Sequence, residues 1–172
     1  DKKKMSKNFY SVEELKDWEL LQLFNDKIKL NNIGQTPKKW YYDASGYTHL
    51  NQYTELELKN RNGVIKENYI EFTKKNKDTY TATTVYIEPQ HYSRMVDDYR
   101  FDGVVPLYVN FFADGSIIVW NLATLKKKPE WKWVTNIWDE GKKKYKDEWR
   151  ILLEINEAFI YDSKYNLVKK PE

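Results

Sequence analysis

The chain contains no cysteine, so disulfide bonds and thiolate metal sites are excluded and a reducing compartment is compatible with the sequence. No apolar run approaches the ~20 residues of a membrane span, and the basic start DKKKMSKNFY lacks the apolar segment of a signal peptide. The chain also has no large excess of one charge, because its 29 Lys and Arg residues and 26 Asp and Glu residues give a net charge of only +3. We therefore expect a cytoplasmic protein with no membrane partner, in which any basic surface comes from local clusters.

Several common motifs are also absent. There is no G-x-x-x-x-G-K-[ST] or G-x-G-x-x-G, which excludes nucleotide-binding loops of those kinds. The two histidines, His49 and His91, have no close partner at metal-ligand spacing, so we expect no zinc site. What the chain does have is an aromatic content of 16%, with 14 Tyr and 7 Trp among 172 residues. Despite a mean hydropathy of -0.85, this content predicts one folded domain with a sizeable core.

The order of predicted elements gives the fold class. Ser11 and Glu14 have the spacing of a capping box, and apolar residues at helical spacing follow, so we expect a helix over 11–30 that ends near NNIGQTP. After this helix, the sequence predicts a strand at KWYYD, a turn at ASG, a strand at QYTELELK and two further strands at YIEFTKK and TYTATTVYI. A second helix is predicted at PQHYSRMVDDYRF, and a β-hairpin at VPLYVNFF and SIIVWNL. This order predicts a single domain of the α+β (or α/β) class, with a mixed β-sheet flanked by helices.

The strand YTELELK carries the residues of chemical interest. Alternation places Tyr53, Glu55, Glu57 and Lys59 on one face, and Thr54, Leu56 and Leu58 on the other. One interpretation is an ordinary half-buried strand with its charges in water. The other needs a second carboxylate, and Asp43 lies fourteen residues before Glu57 (57 − 43 = 14). Two carboxylates, a backbone carbonyl and waters suit Mg²⁺, which takes six hard oxygen ligands.

The arrangement of Asp43 with Glu57-Leu58-Lys59 resembles the PD-(D/E)xK nuclease superfamily. The order of elements over 11–122 is similar to that family as well, which implies a restriction-endonuclease-like core. The resemblance implies that Asp43 and Glu57 hold Mg²⁺ (or Mn²⁺) and that Lys59 assists the attacking water. Tyr42 stands where the motif has proline.

Four further residues are candidates only through this resemblance. Glu55 lies on the face of Glu57 and is either an additional ligand or a surface residue. Glu19 matches a helix glutamate that some members use, although a solvated face explains it as well. Gln90 or His91, at the start of the second helix, lies where some members place another polar contact. The acidic residues Asp97, Asp98 and Asp102 are interpreted as a solvated helix face.

The last part of the chain, 123–172, is interpreted as an aromatic and basic C-terminal extension packed on the core, and 1–10 as disordered or added for expression. The candidate nucleic-acid-binding lysines of this extension are Lys126, Lys127, Lys128, Lys132, Lys142, Lys143 and Lys144. Exposed Trp and Tyr faces could stack on bases. The alternative, preferred for most of the tryptophans, is that Trp131, Trp133, Trp138 and Trp149 cover a sheet edge or the core.

The leading interpretation is a metal-dependent nuclease, endonuclease or exonuclease, of a phage or mobile element. The expected partner is nucleic acid, with DNA preferred to RNA as the candidate. A homodimer is compatible with the resemblance. The alternative is a non-catalytic module on the same scaffold that binds nucleic acid or protein. A third interpretation, an aromatic-rich β module that binds carbohydrate or protein, leaves the Asp43, Glu57 and Lys59 pattern unexplained.

Overall fold

The computed structural model describes residues 10–37 and 40–172, so nearly all of the predicted N-terminal segment 1–10 lies outside the described residues. The described residues form two helices, α1 (Val12–Ile28) and α2 (Pro89–Asp102). The strands are β1 (Asn31–Gln35), β2 (Ala44–Tyr47), β3 (Tyr53–Arg61), β4 (Gly63–Ile65), β5 (Ile70–Thr73), β6 (Thr79–Ala82), β7 (Thr84–Ile87), β8 (Val105–Phe112), β9 (Ile117–Asn121), β10 (Glu130–Asp139), β11 (Lys144–Glu154), β12 (Phe159–Tyr161) and β13 (Leu167–Lys169), with a 3₁₀ turn at Ile155–Glu157. No helix within these ranges has the length and apolar character to cross a membrane.

The main sheet has seven strands in the order β1-β2-β3-β8-β9-β12-β13. Its central pair, β3 and β8, is parallel, and the other neighbours are antiparallel. The connection from β3 to β8 contains α2 and four short strands, β4 to β7. Strands β4, β5 and β6 form one small sheet, and β7 pairs with the later β11 in a second small sheet, β10-β11-β7. The predicted α+β class with a mixed sheet and flanking helices is therefore confirmed.

Helix α1 begins where its capping box predicts. The Ser11 hydroxyl accepts a hydrogen bond from the Glu14 amide at 3.1 Å, and the Glu14 carboxylate accepts one from the Ser11 amide at 3.4 Å. The helix ends at Ile28, before the predicted residue 30, because Lys29 adopts a left-handed conformation with φ of 55°. The segment expected to be an irregular stop signal instead forms β1 at the sheet edge.

The segment between β1 and β3 differs from the prediction. Residues 40–43, expected to be an aromatic strand, are bends, and the expected ASG turn lies inside β2. Small residues are needed there because β1 lies close to β2: a Cβ on Gly46 would lie 3.0 Å from Ile33. Asp43 therefore lies immediately before a strand, and not at the end of one.

The two helices cover opposite faces of the sheet. Leu21 and Phe24 of α1 are fully buried in one core cluster with Leu56 and Leu58 of β3. Met95 of α2 belongs to a second cluster on the other face. The residues after 122 contribute β12 to the main sheet beside β9, and β11 beside β7. The predicted division of the chain at residue 122 stays a prediction.

Candidate active site

Asp43, Glu57 and Lys59 all line one cavity of about 540 Å³. Strand β3 supplies Glu57 and Lys59, and it also fixes Asp43. The Asp43 amide donates to the Leu56 carbonyl at 2.8 Å, and the Asp43 Oδ2 accepts from the Leu58 amide at 2.8 Å. Because both the backbone and the side chain of Asp43 are hydrogen-bonded to β3, its carboxylate is held beside that of Glu57.

The two glutamates on the polar face of β3 are buried and not exposed to solvent. Glu55 is 3% exposed and Glu57 is 9% exposed, so the interpretation of an ordinary strand with solvated charges is wrong for both. The reason is the position of β3 inside the sheet, with a neighbour on each edge and a helix against each face.

His91 of α2 lies against Glu57, so the structure brings the weaker candidate of the second helix into the cavity. A carbonyl oxygen only accepts, so His91 Nδ1 donates its hydrogen to the Tyr41 carbonyl at 2.6 Å. The same nitrogen contacts Glu57 Oε2, which receives no hydrogen bond of its own. On the other side of the ring, His91 Nε2 lies 3.3 Å from Glu88 Oε2.

Burial and neighbouring charges perturb both members of this pair. Burial raises the pKa of Glu57 well above its usual value, and the nearby Asp43 carboxyl adds to the rise. For His91, burial disfavours the charged ring, but the carboxylates of Glu57 and Glu88 outweigh it and raise its pKa to about 11. His91 thus lies between two carboxylates, those of Glu57 and Glu88.

Helix α1 adds carboxylates that the sequence analysis did not select. Glu13, Glu14 and Asp17 line the cavity, and burial together with Asp43 and Glu13 raises the pKa of Asp17 to about 6. Asp17 also contacts the amide of Asn60 on β3. The predicted helix residue Glu19 is exposed and is not among the residues that line the cavity. The available signal was helical spacing, because Asp17 follows the capping Glu14 by three residues.

Glu55 belongs to a different cluster. It lies beside Asp98 of α2, and burial and that neighbour raise its pKa to about 9. The Tyr41 hydroxyl contacts the same Asp98 carboxylate. Of the acidic helix face expected to be solvated, Asp97 and Asp102 are exposed, but Asp98 is partly buried. Gln90 lines a separate groove, with His91 between that groove and the cavity.

The seven candidate lysines do not form one patch. Lys132 lines a groove next to the cavity, whereas Lys127 and Lys128 line a separate hollow beside α2. Lys126 is exposed, and Lys142, Lys143 and Lys144 lie at the β10–β11 turn. The tryptophans expected to cover a sheet edge or the core lie on β10 and β11 with their rings about half exposed; Trp131 and Trp133 pack on Trp149, and Trp138 packs on Tyr145. Trp133 and Trp149, for example, are 49% and 51% exposed, with ring centroids 5.4 Å apart.

The residues present fit a hard divalent cation. In residues 10–37 and 40–172, no three His, Asp or Glu side chains are grouped as a ready-made metal centre. The cavity instead offers the adjacent carboxylates of Asp43 and Glu57, and Glu57 Oε2 is buried without a hydrogen-bond donor of its own. Mg²⁺ is usually bound by one or two carboxylates and keeps several waters, so two carboxylates in a roomy cavity suit it.

The chain has few similarities to known proteins. No protein-family model and no curated protein matches it by sequence. Among solved structures, it is similar to a Holliday junction resolvase from Archaeoglobus fulgidus, an archaeal hyperthermophile. The two chains are 8% identical, and the match covers 81% of this chain and 84% of the other with a TM-score of 0.45. The roles of individual residues are therefore inferred from their own contacts.

Proposed function

We propose that the chain is a metal-dependent nuclease that hydrolyses nucleic-acid phosphodiester bonds, with DNA as the first substrate to test. The observation that carries the proposal is the meeting of Asp43, Glu57 and Lys59 in one cavity. An acid-x-lysine triplet on a strand occurs often by chance. A second carboxylate anchored to the same strand by two hydrogen bonds, beside a buried glutamate, is what a cation site requires.

In this proposal Asp43 and Glu57 hold Mg²⁺ or Mn²⁺. Asp43 Oδ2 is occupied by the Leu58 amide, which fixes the carboxylate and leaves its other oxygen for a ligand. When bound, the cation lowers the pKa of a water and neutralises charge on the phosphate.

Lys59 and His91 have different roles in this proposal. Lys59 forms no ion pair with any described residue, so its ammonium is available to orient a water or to donate to a phosphate oxygen. His91 is held between Glu57 and Glu88 and is a positioning residue that fixes the Glu57 carboxylate. The oxygen of a water would form a bond to phosphorus while the bond from phosphorus to the leaving oxygen breaks. The attacking water releases a proton to solvent and the leaving oxygen takes one up from solvent, so one product ends in a phosphate and the other in a hydroxyl.

The first test is calorimetric titration of Mg²⁺ and Mn²⁺ into the wild type, Glu57→Gln and Glu19→Gln, followed by cleavage assays on single-stranded and duplex DNA. Glu19→Gln is the matched control, because it removes one exposed carboxylate outside the cavity. We expect Glu57→Gln alone to lose ion binding and to lower cleavage by roughly 1,000-fold, equivalent to several kcal/mol of transition-state stabilisation.

Cleavage that is unchanged in Glu57→Gln would show that the mechanism is wrong. If no ion supports cleavage by the wild type and the chain still binds nucleic acid, a non-catalytic binding module on this fold is the better description.

A further inference from the structure

A second cavity adjoins the acidic one. It is a groove of about 600 Å³ between the β4-β5-β6 sheet and the β10–β11 hairpin. The two cavities share three lining residues, Lys59, Asn60 and Tyr86. The groove therefore leads directly to the candidate active site, and Lys59 stands at the junction.

The two cavities have opposite charge. Six carboxylates line the first cavity: Glu13, Glu14, Asp17, Asp43, Glu57 and Glu88. The groove is lined by four cationic residues: Lys59, Arg61, Lys132 and Arg150. No Asp or Glu occurs among the described residues that line it. Such a groove attracts phosphates, as the acidic cavity attracts a divalent cation.

The floor of the groove is a rigid cationic platform. The Tyr86 ring lies between two guanidinium groups, with the Arg150 Cζ at 3.8 Å and the Arg61 Cζ at 4.6 Å from its centroid. Arg61 is fixed by hydrogen bonds to the Tyr86 carbonyl at 2.7 Å and to the Asn110 amide oxygen at 2.8 Å. Glu148 accepts from Arg150 at 3.1 Å, so part of the charge of Arg150 is already neutralised.

The free charge therefore lies on the two lysines. Neither Lys59 nor Lys132 forms an ion pair with another residue in the described part of the chain. Lys132 comes from β10 and Lys59 from β3, so the groove brings together two ammonium groups from segments more than 70 residues apart (132 − 59 = 73).

The wall of the groove carries a partly exposed aromatic ring. Tyr80 is 48% exposed and stacks on Phe72, with ring centroids 5.2 Å apart and an interplanar angle of 23°. The exposed Lys74 lies over the same ring, with its Nζ 5.5 Å from the ring centroid. A base that stacks on Tyr80 would take the place of this solvent-exposed ammonium group.

We propose that this groove binds an unpaired nucleic-acid strand and that the strand continues into the acidic cavity. This proposal rests on the proposed nuclease function. Lys132 binds the backbone phosphates, a base stacks on Tyr80, and Lys59 meets the phosphate at the junction. Cations that track a backbone together with an aromatic stacking face are the features of a single-strand site. Ligand pockets are commonly of roughly 300–1,000 Å³, so the groove has room for a short stretch of one strand.

The test is binding without cleavage. Fluorescence anisotropy would be measured in excess chelator with labelled oligodeoxythymidylate, oligouridylate and a DNA duplex of matched length. The variants are Lys132→Ala, with Lys170→Ala as a control that removes one exposed lysine beyond β13, at the opposite side of the main sheet. The second pair is Tyr80→Ala and Tyr80→Phe, the latter keeping the ring, with a thermal melt of each variant.

We expect single strands to bind more tightly than the duplex. Lys132→Ala should weaken single-strand binding and reduce the salt dependence of log K by about 0.7, as for one lost phosphate contact, whereas Lys170→Ala should not. Tyr80→Ala should weaken it by about 5- to 150-fold, and Tyr80→Phe should restore it. If the substitutions weaken the binding of oligouridylate and of oligodeoxythymidylate equally, the groove does not distinguish ribose from deoxyribose.

The groove proposal and the nuclease proposal fail separately. Binding that is unchanged in both Lys132→Ala and Tyr80→Ala, or duplex binding tighter than single-strand binding, would overturn the groove and leave metal-dependent cleavage intact. If single-strand binding depends on these residues but the chain does not cleave nucleic acid under any divalent ion, the groove proposal stands and the nuclease proposal is overturned.

Discussion

One face of one strand contributes charged residues to both the acidic cavity and the cationic groove. Along β3 the alternate residues are Glu55, Glu57, Lys59 and Arg61, so the charge changes sign in the middle of the strand. Glu57 lines the acidic cavity, Arg61 lines the groove, and Lys59 lines both. A net charge of +3 for the whole chain does not reveal this division. Local arrangement, and not overall charge, decides what each part of this molecule can bind.

The largest effect should come from the residue that the two sites share. Lys59→Ala should lower metal-dependent cleavage by about 10²- to 10³-fold, the usual effect of losing one donor that stabilises transition-state charge. It should weaken single-strand binding far less, because one phosphate contact contributes little to the total. Single-turnover cleavage and anisotropy on the same variant would separate the two roles.

Lys132→Ala is the matched variant for this comparison, since it removes a lysine from the groove alone. It should weaken binding and leave the single-turnover rate at saturating substrate near that of the wild type. If Lys59→Ala and Lys132→Ala have the same profile, Lys59 is only a binding residue and the division between the two sites is wrong.

The next effect concerns the cation that the acidic cavity would hold. A ligand at 100 times its Kd stabilises the folded state by about 2.7 kcal/mol. For a chain of this size each kcal/mol shifts Tm by roughly 2–4 °C, so saturating Mg²⁺ should raise Tm by roughly 5–10 °C. Glu57→Gln should abolish the shift, while Lys132→Ala should keep it, because the groove carries no carboxylate. A shift of equal size in Glu57→Gln would place the ion elsewhere.

The fold and the site were predictable from sequence to different degrees. Both helices and the β8–β9 hairpin follow from local signals, namely the Ser11 capping box, Pro89 in a first helical turn and a turn between two apolar runs. The aromatic run before Asp43 predicted a strand because aromatic residues favour strands. Residues 40–43 are instead bends, in which the Tyr42 carbonyl accepts from the Thr36 hydroxyl and Asp43 Oδ2 accepts from the Leu58 amide.

The contacts that the sequence did not predict share a cause, although His91 and Lys132 were themselves among the candidate residues. The contact between His91 and Glu57 depends on the long crossover that places α2 over β3. The groove needs Arg61, Lys132 and Arg150 from three separate strands. No periodicity within one segment encodes such a meeting, whereas the acid-x-lysine pattern lies within a single strand and could be found.

A smaller effect tests the rigidity of the groove. Arg61→Met keeps much of the side-chain volume but removes the hydrogen bonds to the Tyr86 carbonyl and the buried Asn110 side chain. Hydrogen bonds to a charged group contribute about 1.5–3 kcal/mol, so the free energy of unfolding should fall by about 2 kcal/mol. Denaturant unfolding would measure it, and a variant as stable as the wild type would show that the Tyr86 platform does not depend on Arg61.

The smallest effect concerns the wall of the acidic cavity that α1 supplies. Ser11→Ala removes the oxygen that accepts the Glu14 amide hydrogen, so the free energy of unfolding should fall by about 1 kcal/mol. The first turn of α1 carries Glu13 and Glu14, and Asp17 follows it, so fraying there should weaken ion binding modestly while groove binding stays unchanged. Ser11→Asp is the conservative variant, because Asp also caps helices, and it should restore stability. Equal losses of ion and single-strand binding in Ser11→Ala would mean that the two cavities respond as one unit, and that the charge boundary at Lys59 does not separate their energetics.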